Sequence, residues 1–184
     1  IKYLLSSHYQ ATPFDPYGKN HEPYWKAPFR PIGISRTDDL SLIQIRPYRD
    51  DKIAAIQWIG FGSNMYNELL PIYTSAEDIP AYLSKTSRTP DTSFYYWNIR
   101  LIGALADPYF ATTEIFVERF QEEVASKGHA LVRLNDEAIL KGKRVEEANQ
   151  EVADMAKEAT ERLLSQVLHE ASMHMKNGFS RSDH

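Results

Sequence analysis

The chain has 184 residues, 42% hydrophobic and 25% charged, with a net charge of −4 and no cysteine. That is the size and composition of one globular domain with a core of its own, and it excludes disulfides, thiolate zinc sites and a cysteine nucleophile within these residues. No apolar run reaches the roughly 18 residues of a membrane helix, and a weakly acidic chain without a basic stripe is a poor nucleic-acid binder.

The ten prolines all fall at or before Pro108. Proline blocks helix interiors, so a loop-and-strand part over 1–75 and a helical part over 90–178 are expected within one unit spanning 1–184. Charge follows the same division: residues 1–90 balance at +1, the remainder at −5. The first residue is Ile1 rather than Met, from which a longer polypeptide with an upstream region is expected. Ile1 to Leu5 is too short an apolar run for a signal peptide. With no cysteine to oxidise, a cytoplasmic location is expected, a secreted or cell-surface one being the alternative.

In chain order, residues 8–31 hold five prolines among six large aromatic residues, from Tyr9 to Phe29. Disordered segments are poor in aromatics, so an ordered, irregular loop that packs its rings is expected. A short strand over Ile32 to Arg36 precedes a strand over Leu40 to Arg46 and an almost continuously apolar one over Ile53 to Phe61. The last suits burial on both faces, and the three form an antiparallel meander joined by the charged turn Pro47 to Lys52. Thr92 or Ser93 caps a helix with Tyr96, Ile99, Ile102 and Ala106 on one face, ended by Pro108. Thr112-Thr113-Glu114 opens a second helix to about Lys127, with Gly128 as its left-handed cap. A third runs from about Val145 to Lys176 on a stripe from Val152 to Met175, stopped by Asn177-Gly178.

Chemical candidates are few. His169 and His174 in His-Glu-Ala-Ser-Met-His are five residues apart, about 140° around a helix at ~100° per residue; zinc helices need four. No metal and no cofactor is expected. Gly60-Phe61-Gly62-Ser63-Asn64 lacks the third glycine of a dinucleotide fingerprint and the lysine of a phosphate loop. It reads as a turn in which Asn64 could donate to an oxyanion, or as a small-ligand pocket. Neither Ser35 nor Ser63 sits in a nucleophile-elbow context. His8 and Asp15 lie in the aromatic loop. Of Arg30, Arg36 and Arg46, taken mostly as solvated rim charges, Arg36 stands out at the end of the short strand, where its planar donors can order a carboxylate or a nucleophile.

Four segments, taken together, resemble one family. They are His8-Tyr9-Gln10-Ala11-Thr12-Pro13-Phe14-Asp15-Pro16-Tyr17, Arg30-Pro31-Ile32-Gly33-Ile34-Ser35-Arg36-Thr37, Ile56-Gln57-Trp58-Ile59-Gly60-Phe61-Gly62-Ser63-Asn64, and the block from Asn98 to Asp107. Over most of residues 3–125 they look like the carboxy-terminal half of the cysteine dipeptidases in the N-terminal-nucleophile hydrolase superfamily. The resemblance implies an α+β fold: the carboxy-terminal part of an α-β-β-α sandwich, antiparallel strands followed by packing helices. It implies a cysteine thiol activated by its own α-amine, which this chain lacks and the rest of the protein would supply. Arg36 is the supporting catalytic residue it carries over, and Asn64, Asp15 and His8 would border the dipeptide. The implied partners are the dipeptide, the amino-terminal half and a second copy in a homo-oligomer. The rival reading is a non-catalytic module that binds a peptide or protein through the aromatic loop 8–31.

Overall fold

A computed structural model describes residues 1–10, 12–15, 29, 32–34 and 36–176. A short helix α1 (Lys2–Ser6) leads to a three-stranded antiparallel sheet, β1 (Asp39–Ile45), β2 (Ala55–Phe61) and β3 (Leu70–Tyr73), in the order β1-β2-β3. The helices α2 (Ala81–Ser84), α3 (Tyr95–Ala106), α4 (Phe110–Leu140) and α5 (Val145–Met173) follow. The mixed α and β character, an antiparallel sheet followed by long helices, is the one expected, while the helix α1 ahead of the strands is not.

The central strand β2 is the apolar run. Leu42 on β1 and Pro71 on β3 both stand opposite its Trp58. Adjacent strand residues point to opposite faces, and the two faces feed different cores. Ile59, Leu70 and Ile72 join Ile99 and Ile102 of α3, Val124 of α4, and Ala156 and Leu163 of α5. Ile56 and Tyr73 join Ile53, Ile139 and Ala148. On β1, Ile43 and Ile45 are exposed.

Several sequence expectations are corrected. The described residues of Ile32 to Arg36 form no strand: Ile34 N–H bonds Ile32 O and Thr37 N–H bonds Ile34 O, a chain of turns. The third strand of the meander is instead β3, whose proline and short length hide it. Ile53 lies before β2, in a turn closed by its own N–H on Asp50 O at 2.9 Å. Neither Thr92 nor Ser93 caps α3. Asp91 holds the Ser93 N–H at 2.9 Å and Phe94 takes the cap position without a side-chain bond. Pro108 does end α3, but only into a one-turn 3₁₀ segment, Asp107–Tyr109, that runs straight into α4.

Gly128 is no cap either. It is buried within α4, where a Cβ would stand 3.2 Å from Pro71 Cδ and 4.0 Å from the Trp58 ring. Its missing side chain lets the helix lie close on the sheet. The true stop is Gly142, at φ 107° with open space around it. The α5 stripe is as expected through Val167, whereas Met175 is exposed beyond the helix end. Asn177-Gly178 lies outside the described residues. Of the aromatic loop, Phe14 and Phe29 meet edge to face at 5.0 Å and Tyr9 lies 6.3 Å from Phe29; its other rings fall outside the described residues.

Candidate functional site

A cavity of about 900 Å³ opens between α1, the β1–β2 strands and α4. Trp58, Phe110 and Val117 give it apolar wall, and Lys2, His8 and Glu68 also line it. Its size suits a small ligand.

Glu68 is only 7% exposed. One carboxylate oxygen accepts the Leu69 N–H at 2.8 Å, and no described side chain forms an ion pair with it. Burial pushes its pKa up, while the Leu69 N–H and the charge of Lys2 oppose the shift. Lys2 is its counterpart. Its ammonium donates to the Asn64 carbonyl at 2.5 Å. Burial lowers its pKa from the ordinary 10.5 to about 8, with Glu68 pulling the other way. A buried carboxylate and a half-buried lysine therefore face one cavity, coupled through space but not in contact.

The loop that presents Asn64 is built by local geometry. Gly62 takes φ 78°, and a Cβ there would meet Ile99 Cγ2 at 2.7 Å, so only glycine fits. Asn67 donates to Phe61 O at 3.1 Å, to Gly62 O at 3.3 Å and to Asn64 Oδ1 at 3.4 Å. Asn64 is buried, with its carboxamide oxygen turned to Asn67 and its main-chain carbonyl to Lys2.

His8 and Asp15 are brought together: His8 Nδ1 lies 3.1 Å from Asp15 Oδ1, and the His8 ring meets Phe110 edge to face at 5.3 Å. His8 also lines the cavity. Of these three residues only His8 lines the cavity; Asp15 is joined to it through His8, and Asn64 through the ammonium of Lys2. Arg36 does not stand at a strand end: it is exposed, in a turn, and no described residue forms an ion pair with it. Nor is Arg46 a rim charge, because it is buried against Asp136 at 2.7 Å. His174 stacks on Tyr109 at 4.4 Å and reaches Glu170 at 3.3 Å, tying the end of α5 to the start of α4.

Lys2 and Glu68 were not legible as site residues. The one signal for Glu68 is its position as a single charge before the apolar Leu69 to Tyr73 run. For Lys2 there is none.

Residues 1–123 match the family model of peptidase family C69. The chain belongs to peptidase family C69. This is a family of cysteine peptidases in the N-terminal-nucleophile hydrolase group, as the four segments implied. Among curated relatives, a probable dipeptidase A of Streptococcus pyogenes serotype M18 (strain MGAS8232) is 43% identical over 185 residues, covering all of this chain and 39% of the relative. A dipeptidase of Bifidobacterium longum (strain NCC 2705) is 39% identical over 227 residues, covering all of this chain and 43% of the relative. Dipeptidase A of Lactobacillus helveticus is 32% identical over 176 residues, covering 92% of this chain and 37% of the relative. The chain thus spans about two fifths of the length of these relatives. No helix among the described residues is long and apolar enough to cross a membrane.

Proposed function

We propose that this chain is the carboxy-terminal part of a cytoplasmic dipeptidase, and that it forms one side of the dipeptide site. Membership of family C69 carries the reading, together with the dipeptidase names of relatives aligned over the whole chain. With no cysteine among these residues, the thiol that attacks the peptide carbonyl comes from the rest of the protein. The cavity beside His8 and Glu68 supports the placement of the dipeptide. In this reading His8 and Asp15 form a paired wall, Asn64 sets the position of Lys2 through its carbonyl, and Arg36 reaches toward the amino-terminal half. The exposed Ile43 and Ile45 of β1 support a second layer lying over this sheet, as in an α-β-β-α sandwich.

The test is reconstitution. This chain is mixed with the separately produced remainder of the protein, and hydrolysis of unblocked dipeptides is followed. Activity is expected in the mixture alone and is abolished by a thiol-alkylating reagent. Full activity from this chain by itself, or alkylation without effect, overturns the reading.

A further inference from the structure

The four segments that identify the family leave Glu68 and Lys2 unassigned. A carboxylate withdrawn from water is costly unless a partner compensates it. Glu68 is more than nine-tenths buried and faces the cavity, yet among the described residues its carboxylate accepts one hydrogen bond, from the next residue's own N–H. Lys2 does not neutralise it by contact, because its ammonium is drawn to the Asn64 carbonyl. The remaining charge of the cavity points the same way. Glu114, Glu118 and Glu122, one helical turn apart on α4, also line it, and Lys2 is the single lysine or arginine among its described lining residues. Among the described side chains, four carboxylates against one ammonium favour a cationic ligand. The apolar wall of Trp58, Phe110 and Val117 favours a ligand that carries a side chain beside its charge.

We propose that Glu68 is the receptor for the free α-ammonium group of the substrate, and that this contact restricts the cavity to peptides with an unblocked amino end. The proposal rests on the dipeptidase reading above for the identity of the ligand. Glu68 acts here by binding: its carboxylate accepts hydrogen bonds from the ammonium, and no bond of the substrate is broken at this residue. The peptide bond then lies at the mouth of the cavity, where the rest of the enzyme acts on it.

The experiment uses the full-length protein. The values of kcat and KM are measured for alanylalanine and for N-acetyl-alanylalanine, in the wild type, in Glu68→Gln, and in Glu137→Gln, an exposed carboxylate of α4 outside the cavity lining. In Glu68→Gln, KM for the unblocked dipeptide rises about 10- to 100-fold, the loss of one hydrogen bond to a charged group. The acetylated substrate is turned over as before, so the preference for a free amine collapses, and Glu137→Gln keeps it. An unchanged preference in a folded Glu68→Gln overturns the assignment. A second measurement does not depend on that variant folding. In wild-type protein labelled with ¹³C at glutamate carboxyls, alanylalanine shifts the Glu68 resonance and the acetylated peptide does not. Absence of that shift overturns the assignment too. If the shift occurs in a protein that hydrolyses no dipeptide, Glu68 stands and only the dipeptidase reading falls.

Discussion

Arg46 and Asp136, ninety positions apart in the chain, form a buried two-point ion pair, Nη1 to Oδ2 at 2.7 Å and Nη2 to Oδ1 at 2.9 Å. Tyr73 donates its hydroxyl to the same carboxylate at 2.8 Å, and Arg46 also donates to the Ile53 carbonyl. The residue that follows β1, the last residue of β3 and the last turns of α4 are thereby joined at one point. The buried Arg46 Nε has no partner among the described residues, so the pair is held by its fork alone. Burial and Asp136 together raise the Tyr73 pKa far above its ordinary range, and the phenol stays protonated as the donor. Asp136→Asn leaves a buried guanidinium uncompensated and is expected to cost about 3–5 kcal/mol in urea unfolding. A cost under about 1 kcal/mol contradicts the buried pair.

Two glycines at positive φ separate backbone strain from packing. Gly142 has open space around it, so Gly142→Ala meets only the left-handed penalty, about 1–2 kcal/mol. Gly62→Ala meets that penalty and the 2.7 Å approach to Ile99 as well. It is therefore expected to lower the thermal midpoint clearly more than Gly142→Ala does. Equal midpoints would show that the Gly62 turn is not packed against α3.

The two leucines of α5 give a contrast by face. Leu163 is fully buried in the main core and Leu168 is half exposed. Leu163→Ala removes buried methyl groups and is expected to cost about 2–5 kcal/mol. Leu168→Ala should stay within about 0.5 kcal/mol. Chemical denaturation of both variants checks the orientation of the helix, and a reversed order means the stripe faces outward.

Lys2 makes stability depend on pH in an unusual direction. Its pKa is about 8 in the folded chain against an ordinary 10.5, so between these values the unfolded state holds the extra proton. Stability therefore rises as pH increases through that window, and below pH 8 the full cost of burying the charge is present. Glu68, shifted upward by burial, acts with the opposite slope: the folded state keeps the proton longer, and stability falls as pH rises through its window. Denaturation midpoints from pH 7.5 to 10.5 should climb in the wild type relative to Lys2→Met. Parallel curves would place Lys2 in solvent.

Much of the fold was legible because its signals are local. The apolar run of β2 and the proline-free periodic stretch of α5 each follow from burial repeating along one element. The failures share a cause of another kind. Gly128 has the spacing of a helix stop, yet α4 continues, because packing on Pro71 rewards a residue without a side chain more than helix propensity penalises it. Strand β3 escaped notice because Leu69 to Tyr73 is short and contains Pro71, which β2 nonetheless pairs across its whole length. Arg46 and Arg36 look alike in sequence, each beside an apolar stretch, and only the arrival of Asp136 from α4 separates the buried one from the exposed one.

Composition alone established a strand part followed by a helical part and the absence of a thiol, since residue type along the chain carries those properties; kinship with cysteine dipeptidases was implied by the resemblance of four segments. The partners of each charge were decided by tertiary structure. Glu68 and Lys2 share a cavity, and Arg46 meets Asp136, because helices distant in sequence close over the sheet and shut water out. The cost of losing water, which no linear pattern records, is what gives a buried charge its role.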